Sequence, residues 1–123
     1  MNTKTDSKRG DAFGVAGQQL SAVIFIQDYV QLDFNGPLLT AYNWPIIINK
    51  DKLWNMSIPN YRDKLCEQIT KVVANFIVNP NEKIILDFTD GSKIEIPLII
   101  GPEGPPEAAM IVDSARYVRE VWN

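Results

Sequence analysis

Histidine does not occur among the 123 residues, and cysteine occurs once. Without histidine there is no imidazole general base, no imidazole metal ligand and no side chain whose ordinary pKa lies near neutrality. A single cysteine, Cys66, rules out an internal disulfide and a cysteine-rich zinc site, and it is compatible with a reducing compartment. No apolar run approaches the roughly 18 residues of a membrane helix. The opening MNTKTDSKRGDAFGVAGQQL carries charge but no apolar h-region, so it does not read as a secretory signal. These features predict a cytoplasmic chain with no membrane partner.

Positive charge is also scarce. Twelve Lys and Arg stand against fifteen Asp and Glu, a net charge of −3, and the basic residues are scattered. Affinity for a phosphate backbone comes from clustered cations, so a nucleic-acid partner is not expected. Glycine-rich phosphate loops are missing. Asp90-Gly91-Ser92 lacks the alternating oxygen ligands of a calcium loop and reads as a turn. The expectation is therefore no cofactor and no metal.

What remains is patterned for strands. In Ile84–Leu98, IILDFTDGSKIEIPL, apolar residues recur at every second position on both sides of Asp90-Gly91. A two-residue turn would set Leu86 against Glu95 and mix apolar and charged groups on one face. A three-residue loop, Thr89-Asp90-Gly91, instead pairs Leu86 with Ile94, Ile84 with Ile96 and Asp87 with Lys93, with Gly91 in the left-handed position. A slip of one residue would invert every side chain, which selects the three-residue loop. Asn35-Gly36 marks a second hairpin, pairing Leu32 with Leu39 and Val30 with Ala41. Ala22–Ile26 is a short apolar strand, and Gln27-Asp28 after it reads as either a turn or a bulge. Ile46–Ile48 resumes the pattern briefly, and Asn49–Ile58 reads as a loop.

Asn60 reads as an N-cap, and Tyr61, Leu65 and Ile69 share one face of a helix of about three turns ending near Thr70. Val72, Ala74, Phe76 and Val78 form the next strand, in even register with Ile84 or Leu86. Pro106–Met110, after a Pro/Gly-rich loop, fits one helical turn. Tyr117–Trp122 is a last strand at an edge. Residues 1–19 are polar and read as a flexible arm; residues 20–123 read as a single domain. The fold class that follows is α+β: an antiparallel, strongly curved β-meander or partly open barrel of six to seven strands, with one short helix between its halves.

Between Thr70 and Ala109 the short helix end, the strand, the hairpin Phe88-Thr89-Asp90-Gly91-Ser92-Lys93-Ile94-Glu95-Ile96-Pro97-Leu98 and Pro106-Glu107-Ala108-Ala109 resemble uncharacterised small bacterial β-rich domains. The resemblance implies that fold type and no activity.

Three functional classes follow. The first is a non-enzymatic protein-interaction domain, such as an immunity-type or regulatory partner of a basic protein, towards which an acidic surface steers association. The second is a small-molecule binding β-domain, its ligand in the mouth of the sheet beneath Trp44 and Trp54. The third is an enzyme using carboxylates, for which Glu103 and Glu107, four residues apart, are the candidates. Tyr42, Trp44 and Trp54 cluster around the Trp44-Pro45 break; exposed they would form an interaction or ligand patch, buried a core corner. Cys66, mid-helix beside Leu65, reads as a small apolar filler. Val118 and Trp122 share a strand face that needs cover, either from a second copy in a homodimer or from the Tyr61–Leu65–Ile69 helix face.

Overall fold

Two hairpins carry the clearest local determinants, and both form in the expected register. The computed structural model describes residues 13–102 and 104–123, and the backbone of residues 8–9. Strand β1 is Lys8–Arg9. Strands β2 (Ala22–Ile26), β3 (Tyr29–Asp33) and β4 (Leu38–Ala41) follow. Gln27-Asp28 is a turn, since Ile26 pairs with Tyr29. Val30 pairs with Ala41 and Leu32 with Leu39 across the Asn35-Gly36 turn, whose two residues take φ of 59° and 138°. Gly36 is also required for space: a Cβ there would lie 2.3 Å from Ser114 Oγ.

Strands β5 (Ile46–Asn49) and β6 (Lys52–Trp54) precede helix α1 (Tyr61–Cys66). Then come β7 (Val73–Asn79), β8 (Lys83–Phe88) and β9 (Lys93–Pro97). In β8–β9, Leu86 pairs with Ile94, Ile84 with Ile96 and Asp87 with Lys93. The loop closes through Phe88 N–H to Ser92 O at 2.9 Å and Gly91 N–H to Phe88 O at 3.0 Å. Phe76 stands beside Leu86. Strands β10 (Ala109–Val112) and β11 (Val118–Trp122) complete the chain.

The strands form two antiparallel sheets, ordered β1-β7-β8-β9-β5-β6 and β11-β10-β4-β3-β2. The alternation of β3, β4 and β10 turns Val30, Leu32, Leu39, Ala41, Ala109 and Ile111 inward. That of β5 and β7–β9 contributes Ile47, Phe76, Val78, Ile84, Leu86, Ile94 and Ile96 to the same buried cluster. One core therefore serves both sheets. Two of the passages from one sheet to the other run from β4 to β5 and from β9 to β10. Asn43 ties these two crossings together, donating from Nδ2 to Pro97 O at 2.9 Å.

Several expectations are corrected. The described residues carry eleven strands, not six or seven, in two sheets rather than one continuous meander. The fold is mostly β, because the α part among the described residues is one six-residue helix. Asn60 does not cap that helix with its side chain; it takes a left-handed conformation at φ 69°. The helix ends at Cys66, and Thr70, at φ 84°, turns the chain into β7. Part of the expected Asn49–Ile58 loop is strand β6, reached through Lys50 and Asp51, both left-handed. Pro106–Met110 is not a helical turn, since Ala109 and Met110 pair with Ala41 and Thr40 of β4. A bulge between Val73 and Asn75 leaves Val72 and Ala74 exposed.

Residues 13–19, read as part of a flexible arm, pack into the fold. Val15 is fully buried, Gly17 N–H donates to Val73 O at 2.8 Å, and Gln19 bridges Val72. The rest of the expected arm, apart from the β1 backbone, lies outside the described residues. No described helix is long and apolar enough to cross a membrane.

The hairpin geometry gives a direct test. Gly91 has φ 91° and a Cβ there would meet nothing within 4 Å, so a side chain costs only backbone strain. Gly91→Val is expected to lower unfolding stability by about 1–2 kcal/mol in denaturant titration, with Gly91→Asn milder. Equal stability of both variants and the parent would contradict the left-handed assignment.

Candidate functional site

The two sheets leave two open sides, and a different segment spans each. On one side α1 links the edge strands β2 and β6. Arg62 lies over Phe25 of β2, 5.6 Å from the ring centroid, and Lys64 lies over Trp54 of β6 at 4.8 Å. Tyr61, just before Arg62, is buried and donates its hydroxyl to Pro45 O; burial raises its pKa well above the ordinary phenol value. A shallow pocket of about 220 Å³, lined by Met56, Ile58, Asn60, Tyr61, Arg62 and Asp63, opens beside this helix.

On the other side Phe13 spans β7 and β11. Its ring centroid is 5.7 Å from that of Phe76 in β7 and 6.0 Å from that of Trp122 in β11, the latter pair nearly perpendicular at 76°. Trp122 is held by its backbone, whose carbonyl accepts from Ala108 N–H at 2.7 Å. Glu120 pairs with Ile111 and Trp122 with Ala109, and both partners are buried. Period-two alternation therefore turns Glu120 and Trp122 to the same inner face. With Phe13, Val78 and Pro80 they line a cleft of about 170 Å³. The cleft thus combines aromatic and aliphatic walls with one carboxylate.

Beside the cleft runs the outer edge of β11, which among the described residues pairs with β10 alone. Tyr117 and Val118 at its start are 71% and 57% exposed. Arg119 is drawn to Asp113 at 3.5 Å.

The aromatic patch read from the sequence is divided. Tyr42 follows β4 and packs against Tyr29, with ring centroids 5.4 Å apart and the planes tilted by 51°. Trp54 belongs to the other sheet and lies under Lys64. Trp44, between them in sequence, is half-buried against the core. Neither pocket described above is lined by any of the three. Of the acidic candidates, Glu107 is half-buried near Tyr42, whose pKa is raised by burial, then by Glu107 and Tyr29. Glu103 lies outside the described residues. Cys66 is exposed on α1 rather than filling the core, because Tyr61 and Leu65 take the inner face. Partial burial of its thiol and nearby Asp63 raise its pKa, which keeps it protonated and weakly nucleophilic. Trp122 finds its cover in Phe13, not on the helix face.

A polar cluster joins the end of the helical segment to the β8–β9 turn. Ser92, fully buried, donates its hydroxyl to Asp90 Oδ1 at 2.6 Å and accepts from Gln68 Nε2 at 2.9 Å and Lys71 Nζ at 3.3 Å. Lys71 also reaches Gln68 Oε1 at 2.8 Å and Asp90 Oδ2 at 2.9 Å. A serine beside a lysine can serve acyl transfer. Here the hydroxyl proton is committed to Asp90 and the oxygen is closed off from solvent. The cluster is a staple.

The hydrogen bond from the Ser92 hydroxyl, then that from Lys71, holds the Asp90 carboxyl down at about 2, below its ordinary 3.8. A carboxylate depressed on folding adds stability above its unfolded pKa, and that stability is lost as pH falls through the folded one. Solvent reduces the effect, since Asp90 is 46% exposed. Between about pH 4 and pH 2 the parent is expected to lose more unfolding stability than Asp90→Asn, as measured by denaturant titration at each pH. Parallel curves would show that the pair contributes nothing.

Compared with protein-family models, curated proteins and solved structures, the chain matches none.

Proposed function

We propose that this chain is a non-enzymatic protein-interaction domain that docks a partner along the outer edge of β11. The observation that carries the reading is the exposure of Tyr117, just before β11, and of Val118, its first residue, on a strand with one edge unpaired among the described residues. Free edges offer a row of backbone donors and acceptors to an incoming strand, and an exposed tyrosine is the residue type that anchors interfaces. The net charge of −3 favours a basic partner, as an immunity-type or regulatory protein would have, and a cytoplasmic setting fits the single thiol.

The small-molecule reading keeps one specific support, the cleft between Phe13 and Trp122. It replaces the expected position beneath Trp44 and Trp54.

Affinity capture with the full chain as bait, alongside a Tyr117→Ala/Val118→Lys variant, tests the docking edge. Both side chains are exposed, so the variant is expected to unfold at the same temperature as the parent. The parent should retain a basic protein, more weakly as salt rises, and the variant should retain about tenfold less. Capture of no protein, or of the same protein equally by both baits, would overturn the proposal.

A further inference from the structure

The cleft at the Phe13 side is built unlike an ordinary gap at a sheet edge. Its walls are two aromatic rings set nearly perpendicular, Phe13 and Trp122, with Val78 and Pro80 completing the apolar surface. One carboxylate, Glu120, lines the same space. It does so because β11 alternation points it to the inner face beside Trp122, where the neighbouring inward positions of β10 are Ala109 and Ile111. No cation among the described residues pairs with Glu120. Glu120 is half-buried beside these walls, so a cation entering the cleft meets its charge with less solvent between them than at the open surface. An inward charge near a strand edge also discourages sheet extension. That role needs neither the perpendicular aromatic pair nor an adjoining cleft.

We propose that this cleft binds an organic ammonium group. The ring faces attract a cation through their quadrupoles, and quaternary ammonium groups are held in aromatic cages in this way. The carboxylate supplies the countercharge, and Val78 and Pro80 contact the methyl or methylene groups around the nitrogen. At about 170 Å³ the space is well below the roughly 300–1,000 Å³ of pockets for drug-sized ligands. It is close to the roughly 150 Å³ of a cavity that takes up benzene. The occupant is therefore a head group, with its chain or backbone outside. A free alkylammonium compound and the methylated lysine of a protein share this chemistry. The inference does not depend on docking at β11, because it uses the inner face of that strand and not its outer edge.

The test is a titration of the full chain followed by nitrogen–proton NMR at the Trp122 indole and the Glu120 amide. Three probes are compared: choline, its uncharged isostere 3,3-dimethyl-1-butanol, and capped trimethyllysine. The proposal expects saturable shifts with a charged probe, at least about tenfold tighter than with the uncharged alcohol. Glu120→Gln should weaken the charged probe by a similar factor while leaving the alcohol unchanged. A stronger response to capped trimethyllysine assigns the cation to a protein side chain; a stronger response to choline assigns it to a free small molecule. No saturation by either charged probe through the millimolar range would overturn the inference. So would equal affinity for choline and the alcohol, or a folded Glu120→Gln variant that binds choline as the parent does.

Discussion

Burial of one face of each sheet in a common core is the constraint on which every other feature rests. Neither sheet could bury its inner residues alone. Leu32, Leu39 and Ile111 on one side need Leu86, Ile94 and Ile96 on the other. Register follows from this. Strand side chains alternate with period two, so the pairing of Leu86 with Ile94, or of Leu32 with Leu39, is the one that keeps both strands facing the core. A shift of one residue in either hairpin would put Asp87 or Gln31 among those side chains.

Two layered sheets leave sides to be closed, and the chain closes them differently. Helix α1 lays the long side chains of Arg62 and Lys64 over Phe25 and Trp54, so cations on flexible stems cover aromatic surface at the β2 and β6 edges. The Asp90–Ser92–Lys71–Gln68 cluster then fixes the end of the helical segment to the β8–β9 turn. On the opposite side Phe13 spans Phe76 and Trp122, and a cleft remains around it. Each closure leaves a concavity: the shallow pocket beside α1 on one side and the cleft around Phe13 and Trp122 on the other.

The parts legible in the sequence are those set by local chemistry. Asn35-Gly36 and Asp90-Gly91 announce positive φ, and the alternation around them fixes which residues pair. Strand β6 was hidden because its turn uses Lys50 and Asp51 in left-handed conformations without glycine. Strand β10 was hidden because Pro105-Pro106-Glu107-Ala108-Ala109 has the composition of a first helical turn, and only its pairing with β4, some seventy residues earlier, makes it a strand. The spacing of Tyr61, Leu65 and Ile69 overstated the helix, since tertiary placement of Thr70 and β7 ends it early. At the candidate site, the alternation of YVREVW already set Glu120 and Trp122 on one face, and Trp122 evidently needed cover. Phe13 gave no signal, being one aromatic in a polar stretch whose docking depends on residues sixty and more positions away.

Native-state hydrogen exchange, resolved by residue, tests the shared core most directly. If the two sheets stand on one core, amides in the central strands β8 and β9 and those in β4 and β10 open together. The account predicts the same opening free energy at Leu86 and Ile94 as at Leu39 and Ile111, and the same response to denaturant. Two separated classes, with β3, β4 and β10 opening while β7–β9 stay protected, would contradict it.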